Sequence, residues 1–259
     1  HQYINPHRLS NTYVLELAAG QVVLIDVGNF DTKPFLAWLQ EEGKALTHVI
    51  LTHEHADHCC GVDALAESHS FQLICTSKCA ENIRNCRQNF SYYIEEIDTF
   101  EVKYSDVLIV EDGEVCVIAD ESFTFIETPG HSPGGLCILV GDVMFTGDTI
   151  LNGVKSPLTF PHSNRKEYQS SVEKLKGNLT EGMTIYPGHD RSFLFENFKF
   201  FIKIFFNKVF KKHNFISLSS PLRPCKAISQ RLKRDTSIQM VIAHLIGDKT
   251  SQSILMVLF

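Results

Sequence analysis

The segment Thr52-His53-Glu54-His55-Ala56-Asp57-His58 gathers three imidazoles and two carboxylates into seven residues. Such donors suit zinc, iron or manganese more than calcium or magnesium. The segment follows His48-Val49-Ile50-Leu51, an apolar run that predicts a buried strand ending in a loop. Near a strand end the backbone stays extended, so His53 and His55, two residues apart, point to the same side. Asp57 and His58 come after the chain has turned and face a second point nearby. That arrangement suits two adjacent metal ions, one for each pair.

A lone His-x-His is commonplace on surface loops. Here three further candidates follow in fitting contexts: His131 in Thr128-Pro129-Gly130-His131-Ser132, Asp148 in Phe145-Thr146-Gly147-Asp148-Thr149, and His189 in Ile185-Tyr186-Pro187-Gly188-His189. Each comes after an apolar, strand-like run and a small or Gly/Pro turn residue. Glycine beside a ligand allows backbone conformations that bring a side chain into a crowded site.

With these seven residues in this order, the chain resembles the metallo-β-lactamase superfamily of metallohydrolases over roughly residues 10–190. The resemblance implies an αββα sandwich, an α/β fold with the metal site at one edge between two sheets. It implies that His53, His55 and His131 hold a first metal, that Asp57, His58 and His189 hold a second, and that Asp148 bridges them. Two divalent transition metal ions are expected, zinc foremost, with iron and manganese as alternatives. Asp26, at the end of an early strand, commonly supports the metal loop in that family. The nucleophile expected from the resemblance is a metal-bridging hydroxide, with Asp57 orienting it or relaying its proton.

Motif spacing is most similar to the glyoxalase II-like branch, which cleaves thioesters such as S-lactoylglutathione. Two departures argue for a more general thioesterase or esterase. The Gly-Arg pair many of those proteins carry after the bridging Asp is replaced by Gly153-Val154-Lys155-Ser156-Pro157. The glutathione-recognising helical region is not recognisable in residues 213–259. The alternatives are a mononuclear iron persulfide dioxygenase using His53, His131 and Asp148, or a lactonase. Glu54 points away from its flanking histidines by alternation and reads as structural.

Composition sets the class. Hydrophobic residues make up 44% and charged residues 21% of 259, ordinary for a globular protein. No apolar run reaches membrane-spanning length, and the N-terminus carries no secretory pattern. Most of the eight cysteines read as small buried hydrophobes, Cys116 and Cys137 among them, and not as a disulfide framework, so a reducing cytoplasm is expected. A small-molecule substrate is expected. An acidic catalytic domain without an RNA-clamping insert argues against a nucleic-acid partner.

Strands at 12–17 and 22–26 pair about a turn at Ala19-Gly20. Shorter strands are expected at 107–110, 115–118, 122–128, 136–140 and 143–146, and helices at 33–42, 61–68, 77–88 and 165–177, the last capped by Asn164. Interleaved strands and helices indicate an α/β layer fold. Residues 1–190 form the catalytic domain and 191–259 a basic, Phe-rich helical extension. Residues 1–189 carry 12 Lys and Arg against 26 Asp and Glu, whereas residues 190–259 carry 12 against 4. Lys199, Lys203, Asn207 and Lys211 recur every fourth residue, giving one polar face to a helix at 192–212. Three readings compete for the region after His189: a helix over 192–212 packed on the acidic core, peripheral membrane or nucleic-acid contact through residues 193–212, or a weakly patterned stretch at 213–259 that is not an evolved continuation of the fold.

Overall fold

A computed structural model describes residues 1–196. The first sheet runs in spatial order through β1 (Gln2–Ile4), β2 (Asn11–Glu16), β3 (Gln21–Ile25), β4 (Ala45–Ile50), β5 (Gln72–Cys75) and β6 (Val107–Ile109). Its first three strands are antiparallel neighbours, and β3 to β6 are parallel. The second sheet contains β7 (Val115–Ile118), β8 (Glu121–Glu127), β9 (Leu136–Val140), β10 (Val143–Gly147), β11 (Thr184–Pro187) and β12 (Phe193–Leu194). Only the β10–β11 pair in it is parallel. Helices α1 (Thr32–Glu41), α2 (Ala56–Cys59), α3 (Val62–Ala66) and α4 (Ser77–Asn82) connect strands of the first sheet, and α5 (Arg165–Leu175) links β10 to β11.

Strand alternation sorts the core into layers. Val23, Ile25, Ile50 and Ile74 meet Phe123, Phe125, Leu136, Ile138 and Phe145 between the sheets. Their neighbours Val22, Leu24, Val49, Leu51 and Leu73 face the other way, onto Phe35 and Leu39 of α1 and Val62 and Leu65 of α3. On the far side, Ile126, Cys137, Met144 and Ile185 pack against Leu175 of α5. The central strands are therefore apolar on both faces, as sheets covered by helices require. This is the αββα sandwich that the resemblance implies.

Asn164 caps α5, its side chain accepting from Lys166 N and Glu167 N. Some details differ from the sequence reading. The helix expected over 77–88 ends at Asn82, and the following chain winds through turns. Asn89 satisfies the backbone there, donating from Nδ2 to Ile83 O and Phe100 O. Such side-chain bonds compete with helical ones. Cys116 is partly exposed on β7, while Cys137 is buried, and the seven cysteines among the described residues are free.

Phe193 and Leu194, placed by the sequence in the C-terminal helix, instead pair with Ile185 and Thr184. Phe195 is buried with the α5 layer. The second sheet thus continues past residue 190, the boundary expected for the catalytic domain. The rest of the expected extension lies outside the described residues.

Candidate metal centre

The seven candidate residues, distant in sequence, come from the ends of strands in both sheets. His53 and His55 follow β4, Asp57 and His58 lie on α2, His131 sits in the β8–β9 connection, Asp148 follows β10 and His189 follows β11. In open sheets ligands gather beyond the carboxyl ends of parallel strands, and β4, β10 and β11 supply them here.

Donor atoms of His53, His55 and His131 lie within 4.8 Å of one another, as do those of Asp57, His58 and His189. Asp148 stands between the groups. Its Oδ2 is 3.4 Å from Nε2 of both His131 and His189, and its Oδ1 is 3.7 Å from His58 Nε2. Asp57 Oδ2 lies 3.4 Å from His189 Nε2 and 3.6 Å from His58 Nε2. Asp26, His53 and His58 also fall within 4.8 Å. Both Asp26 oxygens are already engaged, however: Oδ1 by Thr52 N, Oδ2 by Thr52 Oγ1 and His58 Nδ1, at 2.7–2.8 Å. Asp26 therefore orients the loop and one imidazole, the role that the resemblance implies.

The cluster fits a cation pair on its own chemistry. Among the described residues, three buried side-chain atoms have no hydrogen-bond partner: His53 Nε2, His55 Nε2 and Asp148 Oδ1. All three belong to this site. An unsatisfied buried polar group costs roughly 1–3 kcal/mol, so three together fit a site built to bind a cation. Burial, reinforced by His58 and His55, holds His53 well below the ordinary imidazole range. Burial, then His131, does the same for His55. Burial lowers His131 too. Burial thus favours the neutral imidazole at all three, the form that metal ligation demands. At His58 burial pushes downward, but Asp57, Asp26 and Asp148 outweigh it and raise the imidazole to about 10.

The surrounding bonds explain how the loops stay in place. Glu54 is buried on the opposite side from the donors, accepting from Asn82 Nδ2 at 2.8 Å, Ser132 Oγ at 3.0 Å and Gly134 N at 3.1 Å. It ties the β4 loop to α4 and to the His131 loop, the structural part its alternation suggested. His131 Nδ1 donates to Pro157 O at 2.9 Å, fixing its tautomer, with Ser156 Oγ 3.2 Å away. Asn11 Nδ2 and Tyr13 OH both donate to Pro187 O, two residues before His189. A Cβ on Gly188 would sit 2.2 Å from Asp148 Oδ1 and 2.9 Å from His58 Cε1, so only glycine admits this approach. Ser156, Pro157, Asn11 and Tyr13 carry no local sequence signal, because their partners are 25 to 176 residues away.

A profile of the Metallo-beta-lactamase superfamily matches residues 6–189, and the chain belongs to that superfamily. It is 24% identical over 177 residues to a probable polyketide biosynthesis zinc-dependent hydrolase, PksB, of Bacillus subtilis (strain 168), covering 68% of this chain and 71% of that protein. It is 25% identical over 176 residues to a hydroxyacylglutathione hydrolase of Chromohalobacter salexigens, covering 67% of this chain but 58% of that protein. Among solved structures, the BLEG-1 B3 metallo-beta-lactamase superposes with a TM-score of 0.68 at 23% identity, covering 75% of this chain and 93% of that one. ETHE1 from Myxococcus xanthus gives 0.60 at 25%, covering 75% and 78%. The chain is thus a metal-binding, hydrolase-type member of the superfamily. Among the described residues no helix is long and apolar enough to cross a membrane.

Proposed function

We propose that this protein is a dinuclear metallohydrolase acting on a small-molecule thioester or ester, with zinc as the working metal. The observation that carries the reading is Asp148, whose carboxylate reaches an imidazole in each of two donor groups. In this reading His53, His55 and His131 hold one ion, Asp57, His58 and His189 the other, and Asp148 is shared. When bound, the ions supply an acidified water, with a pKa near ~7 at a suitable zinc site, and polarise the substrate carbonyl.

The chain's own residues support hydrolysis without a covalent intermediate. Cys59 Sγ is turned to Glu54 O at 3.3 Å, and burial keeps the thiol protonated. Burial likewise pushes Cys60 up to about 12. Ser132 Oγ is committed to Glu54. No thiolate or activated hydroxyl therefore faces the donors from these positions. Asp57 presents an oxygen beside His58 and His189, placed to orient an attacking water or accept its proton. The thioester preference is supported by motif spacing and by the hydroxyacylglutathione hydrolase relative.

Purified protein is expected to bind close to two transition metals per chain and to lose hydrolysis on strong chelation. A panel of thioester, lactone, β-lactam and phosphodiester substrates locates the reaction. One tightly bound iron per chain, with oxygen consumed in turnover, would replace this reading with the mononuclear oxygenase.

A further inference from the structure

The donor cluster has an apolar wall on one side. The Phe90 ring lies 4.8 Å from that of His55. The Phe160 ring lies 5.3 Å from His55 and 5.5 Å from His131, and the two phenylalanines are 5.5 Å apart. Tyr93 and His162 stand against Phe90 at 6.0 and 5.8 Å, and Tyr92 meets Tyr93 edge-on. Exposure rises outward, from 7% at Phe90 through 39% at Phe160 to 54% at Tyr93. The rings thus run from beside the donors to solvent.

Phe90 is held where a bulky residue is disfavoured. Its φ of 68° is in the left-handed region, normally left to Gly or Asn. Asn89 enforces it: its backbone O accepts from Ala56 N at 2.7 Å, inside the metal motif itself. Its side chain bonds Ile83 O, Phe100 O and Ser91 N. A strained backbone conformation that its surroundings over-determine is a pointer to function. What the strain secures is an aromatic face beside His55.

A ligand that fits both halves carries a polar reacting group next to an apolar substituent. Common biological thiol carriers are polar and charged, so the apolar half of a thioester is its acyl group. We infer that Phe90 and Phe160, with Tyr93 beyond them, form the binding wall for an apolar acyl chain of several carbons or an aryl-acyl group. The inference rests on the hydrolase reading for the identity of the reacting bond.

The test uses metal-loaded full-length protein and the variants Phe90→Ala and Phe160→Ala. N-acetylcysteamine thioesters from acetyl to octanoyl vary the acyl group at constant thiol. For the unaltered protein, kcat/KM is expected to rise about fourfold per methylene while the wall is being covered. Either variant should lower the octanoyl-to-acetyl ratio at least tenfold. Calorimetric binding of octanoate and acetate supplies a readout free of turnover: octanoate should bind more tightly than acetate, and removing either ring should shrink that advantage. Phe160 is partly exposed, so its variant keeps the test intact if Phe90→Ala does not fold. An unchanged octanoyl-to-acetyl ratio in Phe160→Ala, or octanoate binding no tighter than acetate in the unaltered protein, overturns the acyl wall. Ring-dependent octanoate binding without hydrolysis of any thioester upholds the wall and removes the hydrolase reading instead.

Discussion

Asp148 and Asp26 are both buried carboxylates beside His58, yet their surroundings give them different work. Asp26 spends its oxygens on Thr52 and His58, while Asp148 keeps Oδ1 without a hydrogen-bond partner. A carboxylate between two cations offsets their repulsion, so Asp148→Ala is expected to lose the second metal and to lower kcat/KM at least about 100-fold, beyond what most supporting residues cost. Asp26→Asn should weaken metal affinity about 10–100-fold without altering the donor set. Asp31→Ala is the control. Asp31 caps α1, accepting from Lys33 N, so its loss should cost about 1 kcal/mol of stability and no metal. Metal content by elemental analysis, with thermal melts, separates the three. Equal metal loss in the Asp148 and Asp31 variants would remove Asp148 from its bridging place. All seven candidate donors were legible because each stands in a short local motif. Asp26 was visible from its strand end and the family resemblance. The rings of Phe90 and Phe160 were not, because nothing in the sequence near Asn89 or Phe160 shows that these loops converge on His55.

At the scale of elements, strands with one clear turn at each end were readable and short buried ones were not. β3 and β4 are apolar runs closed by polar motif residues, and β10 and β11 lead directly into Gly147-Asp148 and Gly188-His189. β5 is a four-residue run, Gln72-Leu73-Ile74-Cys75, with three buried positions in succession. Such a run has no alternation, and periodicity alone does not distinguish it from a buried helical turn. β1 and β12 owe their place to pairing with β2 and β11 rather than to local preference. Strand ends matter here because the residues just beyond them carry the candidate donors. Gly188→Ala therefore tests the β11 end. The added methyl meets Asp148 Oδ1 and His58, and something must shift. The expected outcome is loss of metal from the Asp57–His58–His189 group, seen as a stoichiometry near one. Asn164→Ala, at the cap of α5, should instead lower stability by about 1 kcal/mol and leave stoichiometry unchanged. Full metal content in Gly188→Ala would show that the loop relaxes without cost.

At the scale of the whole molecule, the sandwich follows from strands whose successive side chains serve different layers. Val22 and Leu24 face the helices while Val23 and Ile25 face the opposite sheet, so the motif loops emerge at an edge braced from both sides. Every candidate donor precedes residue 190, and the strands that carry them lie within residues 1–196. Phe193–Leu194 closes the second sheet beside β11, so a cut before Phe193 should unsettle His189 and expose Phe195's apolar neighbours. A cut after Asn214 is a different case. The basic charge of residues 190–259 contrasts with the acidic remainder, and the seven candidate donors all precede it. Protein ending at Asn214 should hold the same metal stoichiometry and hydrolyse small thioesters at nearly the unaltered rate. Metal analysis and an acetyl-thioester assay on the shortened and full chains check both. Loss of metal on shortening would mean that residues 215–259 brace the donor loops. Loss confined to large thioesters would make residues 215–259 part of substrate recognition.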